Sequence, residues 1–421
     1  MTIHQSAPKR TTGHLQFHSS ALVIIAAFLC MGSVFAGEIP MERLDQFVQK
    51  MAGRSHHTIG YPGNQNIELQ EFYKWYYESG LCNISMNNVG NPRKDSPYSL
   101  NTHEFENEVI NFFAPRYGFD ESEAWGIVTS SGTDGNNHGI YFGAKHLFSK
   151  TRMKPVVYVS DQAHYSIKKL ADLQNLELKI IPAGRMGQML IPEFEKALDP
   201  AKPALIVIAM GTTFKGAMDD QEAIDKVVRK VKPIAVYRHM DAALFGGYLP
   251  FSAHKDLINR EKVRFDSIAV SGHKFFGFDE PLGIFITTNE ILKNQNPFKV
   301  AYLNDAVPTI TCSRSALGAL KFWWKVKKNG APGFKKQAGA ILANTKYLKA
   351  GLDKLNYPSW VNPCSNTVFL KRPSREIMKK WDLAPEFDPE FGGNLAHNIV
   401  MQHETKETID QFIADLKKDM Q

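Results

Sequence analysis

Between about residues 100 and 310, apolar segments of strand length alternate with amphipathic segments of helical length. Three pairs show the alternation, each a strand-like segment followed by a helical one: Val156–Val159 and Ser166–Leu173, Leu178–Ile181 and Ile191–Leu198, Ala204–Met210 and Gln221–Val231. This alternation is typical of a mostly parallel sheet with helices on both faces. We therefore predict an α/β fold, in which ligands bind beyond the carboxyl ends of the strands.

Two charged residues stand at predicted strand ends. Asp241 follows the apolar stretch 234–237, and Lys274 follows the strand-like run 267–270. Burial lowers the pKa of a lysine, and a neutral amine is the form that makes a Schiff base with pyridoxal phosphate. An anion such as Asp241 at the pyridine nitrogen keeps the ring protonated as an electron sink. The pair predicts a pyridoxal phosphate site; the alternative for either residue alone is a solvated lysine or a helix-capping aspartate.

Further motifs precede this pair along the chain. The segment Thr129–Asn136 places small and hydroxyl residues ahead of a predicted helix, which suits a phosphate dianion. His164 follows a β-rich run and is suited to stack on the pyridine ring. The complete order is the phosphate loop, His164, Gly211–Thr213, His239–Ala243 and Ser271–Lys274.

This order of motifs resembles the pyridoxal-phosphate-dependent group II amino acid decarboxylases, most closely their histidine decarboxylase branch, which includes bacterial histidine decarboxylases and plant serine decarboxylases. The resemblance extends from about Tyr61 to the C-terminus. It includes the segments Ile84–Gly90, Gly211–Asp220 and Gly393–His397. It implies the fold type I aminotransferase architecture, with active sites at the interface of a homodimer.

The resemblance also implies a role for each matched residue. Lys274 would bond the cofactor, Asp241 would pair with the pyridine nitrogen, and His164 and Ala243 would lie on opposite faces of the ring. The other implied cofactor contacts are Ser131, Gly132, Thr133 and Ser271 at the phosphate, His273 close by, and Thr213 and Asp219 at the polar edge. Asn88 matches a position that contacts substrate.

Decarboxylation also needs an acid that protonates the substrate carbon after carbon dioxide leaves. Tyr302 lies in the polar stretch Ala301–Asp305, which is suited to a mobile loop, and is one candidate. His164 is the alternative acid. Tyr302 is equally well explained as an aromatic residue that packs at a dimer interface.

The substrate is predicted from the same resemblance as L-histidine, which would give histamine. Where the branch usually reads Gly-Ser-Arg-Asn-Gly-His, this chain has Cys312–Leu317, which keeps only Ser313 and Arg314. Serine or another amino acid therefore stays open, as do another pyridoxal phosphate carbon–carbon lyase and a homologue that binds without turnover. Arg314 is expected either to pair with a substrate carboxylate or to brace the junction of two lobes.

Length and composition bound the organisation of the chain. Because 421 residues exceed a single core, we predict a large cofactor-binding domain over 101–310 and a small α+β domain over 311–421, after an N-terminal segment over 37–100. The net charge of +7 is dispersed, so no nucleic-acid partner is expected. The paired residues His56 and His57 have no Cys or carboxylate at ligand spacing, so no metal site is expected.

The N-terminus has the arrangement of a secretory signal. Lys9 and Arg10 precede the apolar run Ala21–Met31, and Val34–Ala36 offers small residues for cleavage before Gly37. We therefore predict that residues 1–36 direct export to the periplasm or the medium. An uncleaved membrane anchor is one alternative, because the uncharged stretch from about Ser19 to Ala36 is at the lower limit for spanning a membrane. A disordered extension of a cytoplasmic protein is the other.

Overall fold

The computed structural model describes residues 39–293, 298–303 and 305–421. The larger sheet, called the large sheet below, has seven strands: β1 Ala124–Thr129, β2 Val156–Ser160, β3 Glu177–Ile181, β4 Ala204–Ala209, β5 Val236–Asp241, β6 Ser267–Ser271 and β7 Gly283–Thr288. Their spatial order is β1-β7-β6-β5-β4-β2-β3. The neighbours from β3 to β6 run parallel, and only β7 runs antiparallel to its neighbours. The predicted α/β class with a mostly parallel sheet is confirmed.

Strands β2, β4 and β6 are mostly apolar because both faces of the large sheet are covered, whereas β5 between β4 and β6 carries Arg238 and His239. Every residue of β2, β4 and β6 is buried. Side chains alternate between two hydrophobic clusters: Leu205 and Val207 of β4 belong to one, and Ile206 and Ile208 to the other. This continuous apolar character distinguishes buried parallel strands from half-exposed ones.

Helices connect and cover these strands. The longer described helices are α1 Met41–Ser55, α2 Gln70–Glu78, α3 His103–Phe113, α4 Gly132–Thr151, α5 Ser166–Leu173, α6 Ile191–Ala197, α7 Gln221–Val231, α8 Ala316–Lys354, α9 Arg375–Lys380 and α10 Lys406–Asp419. Side-chain caps define several starts: Ser131 accepts from the Asp134 N–H at 3.1 Å before α4, and Asp220 accepts from the Ala223 N–H at 2.9 Å before α7. Such caps satisfy N–H groups that the first turn leaves unpaired.

Helix α8 contains a break. The patterns of residues 317–327 and 336–352 predict two separate helices, and α8 spans both. Gly330 interrupts the helical geometry with φ 57° and ψ −174°, and Pro332 follows inside the helix. Glycine tolerates this conformation and proline cannot donate a backbone hydrogen bond, so the two residues explain the break between the predicted helices.

A second, antiparallel sheet, called the small sheet below, follows α8. Its strands are β8 Ser359–Val361, β9 Thr367–Lys371, β10 Ala384–Asp388 and β11 Gly393–Ile399, in the spatial order β8-β9-β11-β10. Leu348 and Leu352 of α8 pack with Val368 and with Phe412 of α10 in its core. The apolar run 398–401 predicts the last strand. The observed strand begins earlier, because Gly393 pairs with Asp388 in a ladder that starts immediately after a turn.

The first described helix, α1, has an apolar face of its own. Leu44, Phe47, Val48 and Met51 recur at the spacing that places side chains on one side of a helix. None of the helices in the described ranges is both long and apolar enough to cross a membrane. The predicted signal segment, residues 1–36, lies outside the described residues, and the domain boundaries stay predictions.

Candidate active site

The predicted pair, Asp241 and Lys274, meets at the carboxyl edge of the large sheet. Asp241 is the last residue of β5, and Lys274 follows three residues after β6 ends at Ser271. Because β5 and β6 are adjacent and parallel, their carboxyl ends lie side by side. Both side chains line a cavity of about 350 Å³.

Five of the residues predicted to hold the cofactor line this cavity: His164, Thr213, Asp241, Ala243 and Lys274. They come from the loops after β2, β4, β5 and β6. The opposite wall comes from the small sheet and from the segment 60–62 that precedes α2. The cavity therefore lies between the edge of the large sheet and the small sheet.

The electrostatics around Lys274 favour a reactive amine. Burial lowers the pKa of Lys274, and the nearby Asp241 carboxylate offsets part of that effect. A lowered pKa increases the neutral fraction of the amine at physiological pH. Neutral lysine is the form that bonds an aldehyde, so the environment suits the predicted role.

His164 is held with a defined ring orientation. The Ser166 backbone N–H lies 3.3 Å from His164 Nδ1, and the Ser166 hydroxyl lies 2.7 Å from the same atom. Because the backbone group can only donate, Nδ1 is the acceptor and the proton of the neutral ring is on Nε2. Burial lowers the pKa of His164, Asp241 raises it and Lys274 lowers it, with burial the largest effect. The imidazole is therefore kept neutral beside Lys274.

The phosphate loop packs directly against the ends of β5 and β6. A Cβ added to Gly132 would lie 2.2 Å from Ser271 Oγ and 3.3 Å from Ala243 Cβ. The Ser271 N–H also donates to the Ala243 carbonyl at 3.0 Å. Gly132 opens α4, whose first N–H groups and positive dipole end suit an anion. Ser131, Gly132 and Ser271 thus lie together next to the cavity wall at Ala243, in an arrangement that would suit a phosphate and is called the cradle below.

Six of the predicted cofactor residues lie outside the cavity lining: Ser131, Gly132 and Ser271, described above, and Asp219, Thr133 and His273. Asp219 is buried, and its carboxylate accepts from the backbone N–H groups of Met189 at 2.8 Å and Ala209 at 2.9 Å. Burial raises the pKa of Asp219 to about 6. Its oxygens are used to fix the backbone around β4. Thr133 is exposed, and His273 lies within 3.3 Å of the Leu282 carbonyl through Nδ1.

Asn88 and Tyr302 are also not brought into the cavity of this chain. Asn88 is fully buried; its amide donates to Glu106 at 3.1 Å and accepts from the Thr102 N–H at 2.8 Å. Both ends of the amide are therefore occupied by protein groups. Tyr302 lies on the short turn Ala301–Leu303 with 77% of its surface exposed.

Arg314 is engaged within the fold. Its guanidinium donates to both carboxylate oxygens of Glu106, at 2.8 and 3.3 Å, and to the Gly90 carbonyl at 3.0 Å. This fully buried pair corresponds to the bracing alternative for Arg314. The departure at Ser315 also has a structural role, because Ser315 accepts from the Gly318 N–H at 2.8 Å and caps α8.

Sequence reasoning missed the small-sheet wall of the cavity, which includes Tyr61, Pro385, Glu386 and His397. His397 lies within 2.7 Å of the Phe214 carbonyl through Nδ1 and within 3.0 Å of the Gly60 carbonyl through Nε2. Its ring also stacks on Phe214, with 4.4 Å between centroids. The motif Gly393–His397 could have drawn attention to His397, whereas Glu386 has no sequence signal.

Residues 144–361 match the family model described as the pyridoxal-dependent decarboxylase conserved domain. The chain belongs to the pyridoxal-dependent decarboxylase family. This membership confirms the resemblance found in the sequence, and with it pyridoxal phosphate as the cofactor and amino acid decarboxylation as the reaction. The cradle at Gly132 and the buried Lys274 beside Asp241 fit that cofactor.

Individual relatives extend the match over most of the chain. Serine decarboxylase 1 from Oryza sativa subsp. japonica is 32% identical and is matched over 87% of this chain and 73% of its own length. Histidine decarboxylase from Solanum lycopersicum is 31% identical, with 92% of both chains covered. The solved structure of L-methionine decarboxylase from Streptomyces sp. 590 superposes with a TM-score of 0.78 at 19% identity, covering 91% of this chain and 96% of the other. This last likeness supports the fold alone, and the predicted fold type I class is confirmed.

Proposed function

We propose that this pyridoxal-dependent decarboxylase converts L-histidine to histamine and carbon dioxide. The observation that carries the proposal is the cavity in which Lys274, Asp241 and His164 meet next to a phosphate cradle. The tomato relative named histidine decarboxylase supports the substrate, because 92% of each chain is matched.

The cavity wall at the carboxyl edge of the large sheet is called the large-sheet wall, and its predicted cofactor residues have proposed roles in the reaction. Pyridoxal phosphate, when bound, supplies the electron sink that allows a bond at the substrate Cα to break. Lys274 would hold the cofactor covalently, and Asp241 would keep the ring nitrogen protonated. His164 and Ala243 would confine the ring from its two sides. Ser131, Gly132 and Ser271 would hold the phosphate.

His164 is the proposed donor of the proton that replaces the lost carboxylate. It lines the cavity, and its protonated form, which the nearby Asp241 carboxylate favours, would give one proton to the substrate carbon and return to the neutral ring without opening the site to bulk water. Tyr302, the first candidate from the sequence, is the other proposed donor. Its exposed position is equally compatible with packing against a second subunit.

L-Serine is the second candidate substrate, because the rice relative named serine decarboxylase 1 is as similar to this chain as the tomato protein. The test is a screen of the purified, cofactor-loaded protein against the twenty amino acids, with detection of amines and of carbon dioxide. We expect histamine from L-histidine with the highest kcat/KM. A higher value for serine would reject histidine but keep the decarboxylase, and formation of no amine would reject catalysis.

We also propose that the active form is a homodimer. The apolar face of α1, with Leu44, Phe47, Val48 and Met51, requires a surface to cover it. Light scattering should give about twice the chain mass of 47.4 kDa. Replacing Phe47 and Val48 together with Glu should weaken association, whereas a monomeric wild type would contradict the proposal.

Export remains a proposal that rests on residues 1–36. Lys9 and Arg10 before an apolar run, followed by small residues up to Ala36, support a cleaved signal. N-terminal sequencing of protein recovered from the exported fraction should begin at Gly37. Recovery of an intact N-terminus from the membrane fraction would favour the anchor instead.

A further inference from the structure

The small-sheet wall of the cavity includes one face of β10 and β11. Ala384 of β10 lies opposite His397 of β11, and Glu386 lies opposite Leu395. Residues opposite each other on paired strands share a face, so Glu386 and His397 point to the same side of the small sheet. Both line the cavity. Because a carbonyl oxygen already lies against each His397 nitrogen, this histidine serves as a wall.

Two acids on this face of β10 have different environments. Asp388 forms an ion pair with Lys215 at 2.5 Å, and both side chains are largely buried. In the described part of the chain, Glu386 forms no ion pair with a basic side chain, and its Oε1 accepts from the adjacent Phe387 N–H at 3.1 Å. The Asp388 pair attaches β10 to the loop after β4. Glu386 keeps a carboxylate at the cavity that can accept from a bound ligand.

The electrostatic influence of Glu386 falls on the small-sheet end of the cavity. The pKa of Lys274 is changed by burial and by Asp241. The pKa of His164 is changed by burial, by Asp241 and by Lys274. Glu386 is not among the causes of either shift. Glu386 instead raises the pKa of His397, against a larger lowering by burial. A substrate α-carboxylate would be repelled beside Glu386. The substrate side chain is therefore the part suited to lie there.

We propose that Glu386 is a specificity-determining residue that selects amino acids whose side chain is cationic or donates a hydrogen bond, as imidazole does. This inference rests on the proposed amino acid decarboxylase function. An imidazolium combines a positive charge with an N–H donor, so its bond to a carboxylate is charge-assisted. The serine hydroxyl is neutral and shorter, and gains less from the same carboxylate.

Asp161 is the competing acid. It lines the cavity from the loop after β2, close in sequence to His164, and is exposed. Asp161 lies on the large-sheet wall, together with the residues predicted to hold the cofactor, and not on the wall that contains Glu386. A substitution at Asp161 therefore separates a general loss of negative charge in the cavity from a specific contact by Glu386.

The test compares kcat/KM for L-histidine and L-serine in wild type, Glu386→Gln and Asp161→Asn. Glu390→Gln is the matched control, because Glu390 is exposed on the turn Pro389–Phe391 directly after β10 and does not line the cavity. Glu386→Gln should lower the histidine-to-serine ratio by roughly 10- to 100-fold, the range for one lost charge-assisted hydrogen bond. Most of the change should fall on KM, and the control should stay within about 2-fold of wild type.

Calorimetric titration of the cofactor-loaded protein with histamine gives a readout that needs no turnover. Glu386→Gln should weaken histamine binding by a similar factor, while Glu390→Gln should not. An unchanged ratio together with unchanged histamine affinity in Glu386→Gln would overturn the role of Glu386, as would a ratio that shifts only in Asp161→Asn. A wild type that makes no amine would reject the proposed function, and histamine binding would still decide the role of Glu386.

Discussion

The large-sheet wall and the small-sheet wall of the cavity hold their side chains in different ways. Asp241 is the last residue of β5, and His164 and Lys274 stand in the loops that follow β2 and β6, where the sheet fixes their backbone. Glu386 stands on β10, an edge strand whose position depends on the His397 contacts and on the Lys215–Asp388 pair. On the proposed roles, the chemistry common to every substrate would lie on the large-sheet wall. The contacts that distinguish one substrate from another would lie on the small-sheet wall, which is assembled by long-range contacts.

The largest effect is expected when the amine of Lys274 is removed from the large-sheet wall. This variant tests whether the catalytic groups lie on that wall. Lys274→Ala should reduce turnover by at least about 10⁴-fold, because losing a covalent catalytic group removes most of the rate enhancement. Borohydride reduction followed by peptide mass analysis should also lose the cofactor-bearing peptide that contains Lys274. Lys335→Ala, at an exposed lysine of α8, is the control. A cofactor adduct retained on the original peptide would contradict the assignment of Lys274.

The second test removes the negative charge of Asp241 from the same wall and keeps the shape of the side chain. Asp241→Asn should slow carbon dioxide release by about 100-fold, the order seen when a preorganised electrostatic group is lost from an active site. The cofactor should remain bound, as measured by its near-visible absorbance. Asp256→Asn, at an exposed aspartate, should match wild type. Near-normal turnover in Asp241→Asn would mean that another group supports the ring nitrogen.

A third test addresses the phosphate cradle. In Gly132→Ala the new Cβ would lie 2.2 Å from Ser271 Oγ, so either the hydroxyl or the start of α4 must move. We expect the dissociation constant of the cofactor to rise by about 10-fold, consistent with the cost of overpacking. Gly339→Ala is the control, because an added Cβ there meets nothing within 4 Å. Equal cofactor affinity in the two variants would show that the cradle tolerates a side chain.

Most of the fold was predictable because local patterns determine it. Helix α5 lies at Ser166–Leu173, as predicted, and β4 and β6 differ from their predicted ranges by one residue. These elements are continuous in sequence, and buried parallel strands are apolar throughout. The prediction placed β11 too late because Gly393 and Asn394 are residue types that favour turns. In the structure, the pairing of β11 with β10 extends the strand through both residues.

Residues of the candidate site could be predicted only where the combination of residue type and position is rare in proteins. A lysine and an aspartate at neighbouring strand ends have a recognisable joint purpose, and the motif order supported them. Glu386 and Tyr61 reach the cavity through contacts between distant segments, such as the His397 contact with the Gly60 carbonyl, and no sequence period reveals such contacts. Asp219 illustrates a different limit of sequence-based prediction. The motif drew attention to this residue, but it could not reveal that the carboxylate oxygens accept from backbone N–H groups.

The smallest expected effect concerns a buried acid between β11 and α10. Burial raises the pKa of Glu404 to about 8 from its ordinary value of 4.5, although Asn398 and the Met401 N–H partly oppose this. Between these two pH values the folded state holds a proton that the unfolded state has released. The free energy of unfolding therefore falls as pH rises through this range.

Glu404→Gln removes this titration and keeps the shape of the side chain. From about pH 7 to pH 8, wild type should lose about 1 kcal/mol more unfolding free energy than the variant, measured by urea denaturation at both pH values. Glu407→Gln is the control, since Glu407 is exposed in the first turn of α10 and its pKa lies below 4.5. If wild type and Glu404→Gln lose equal stability over this interval, Glu404 is already ionised in the folded protein. In that case the region of the small sheet would hold a buried charge, as the large-sheet wall does at Asp241. The two regions would then differ less in the way they treat buried acids.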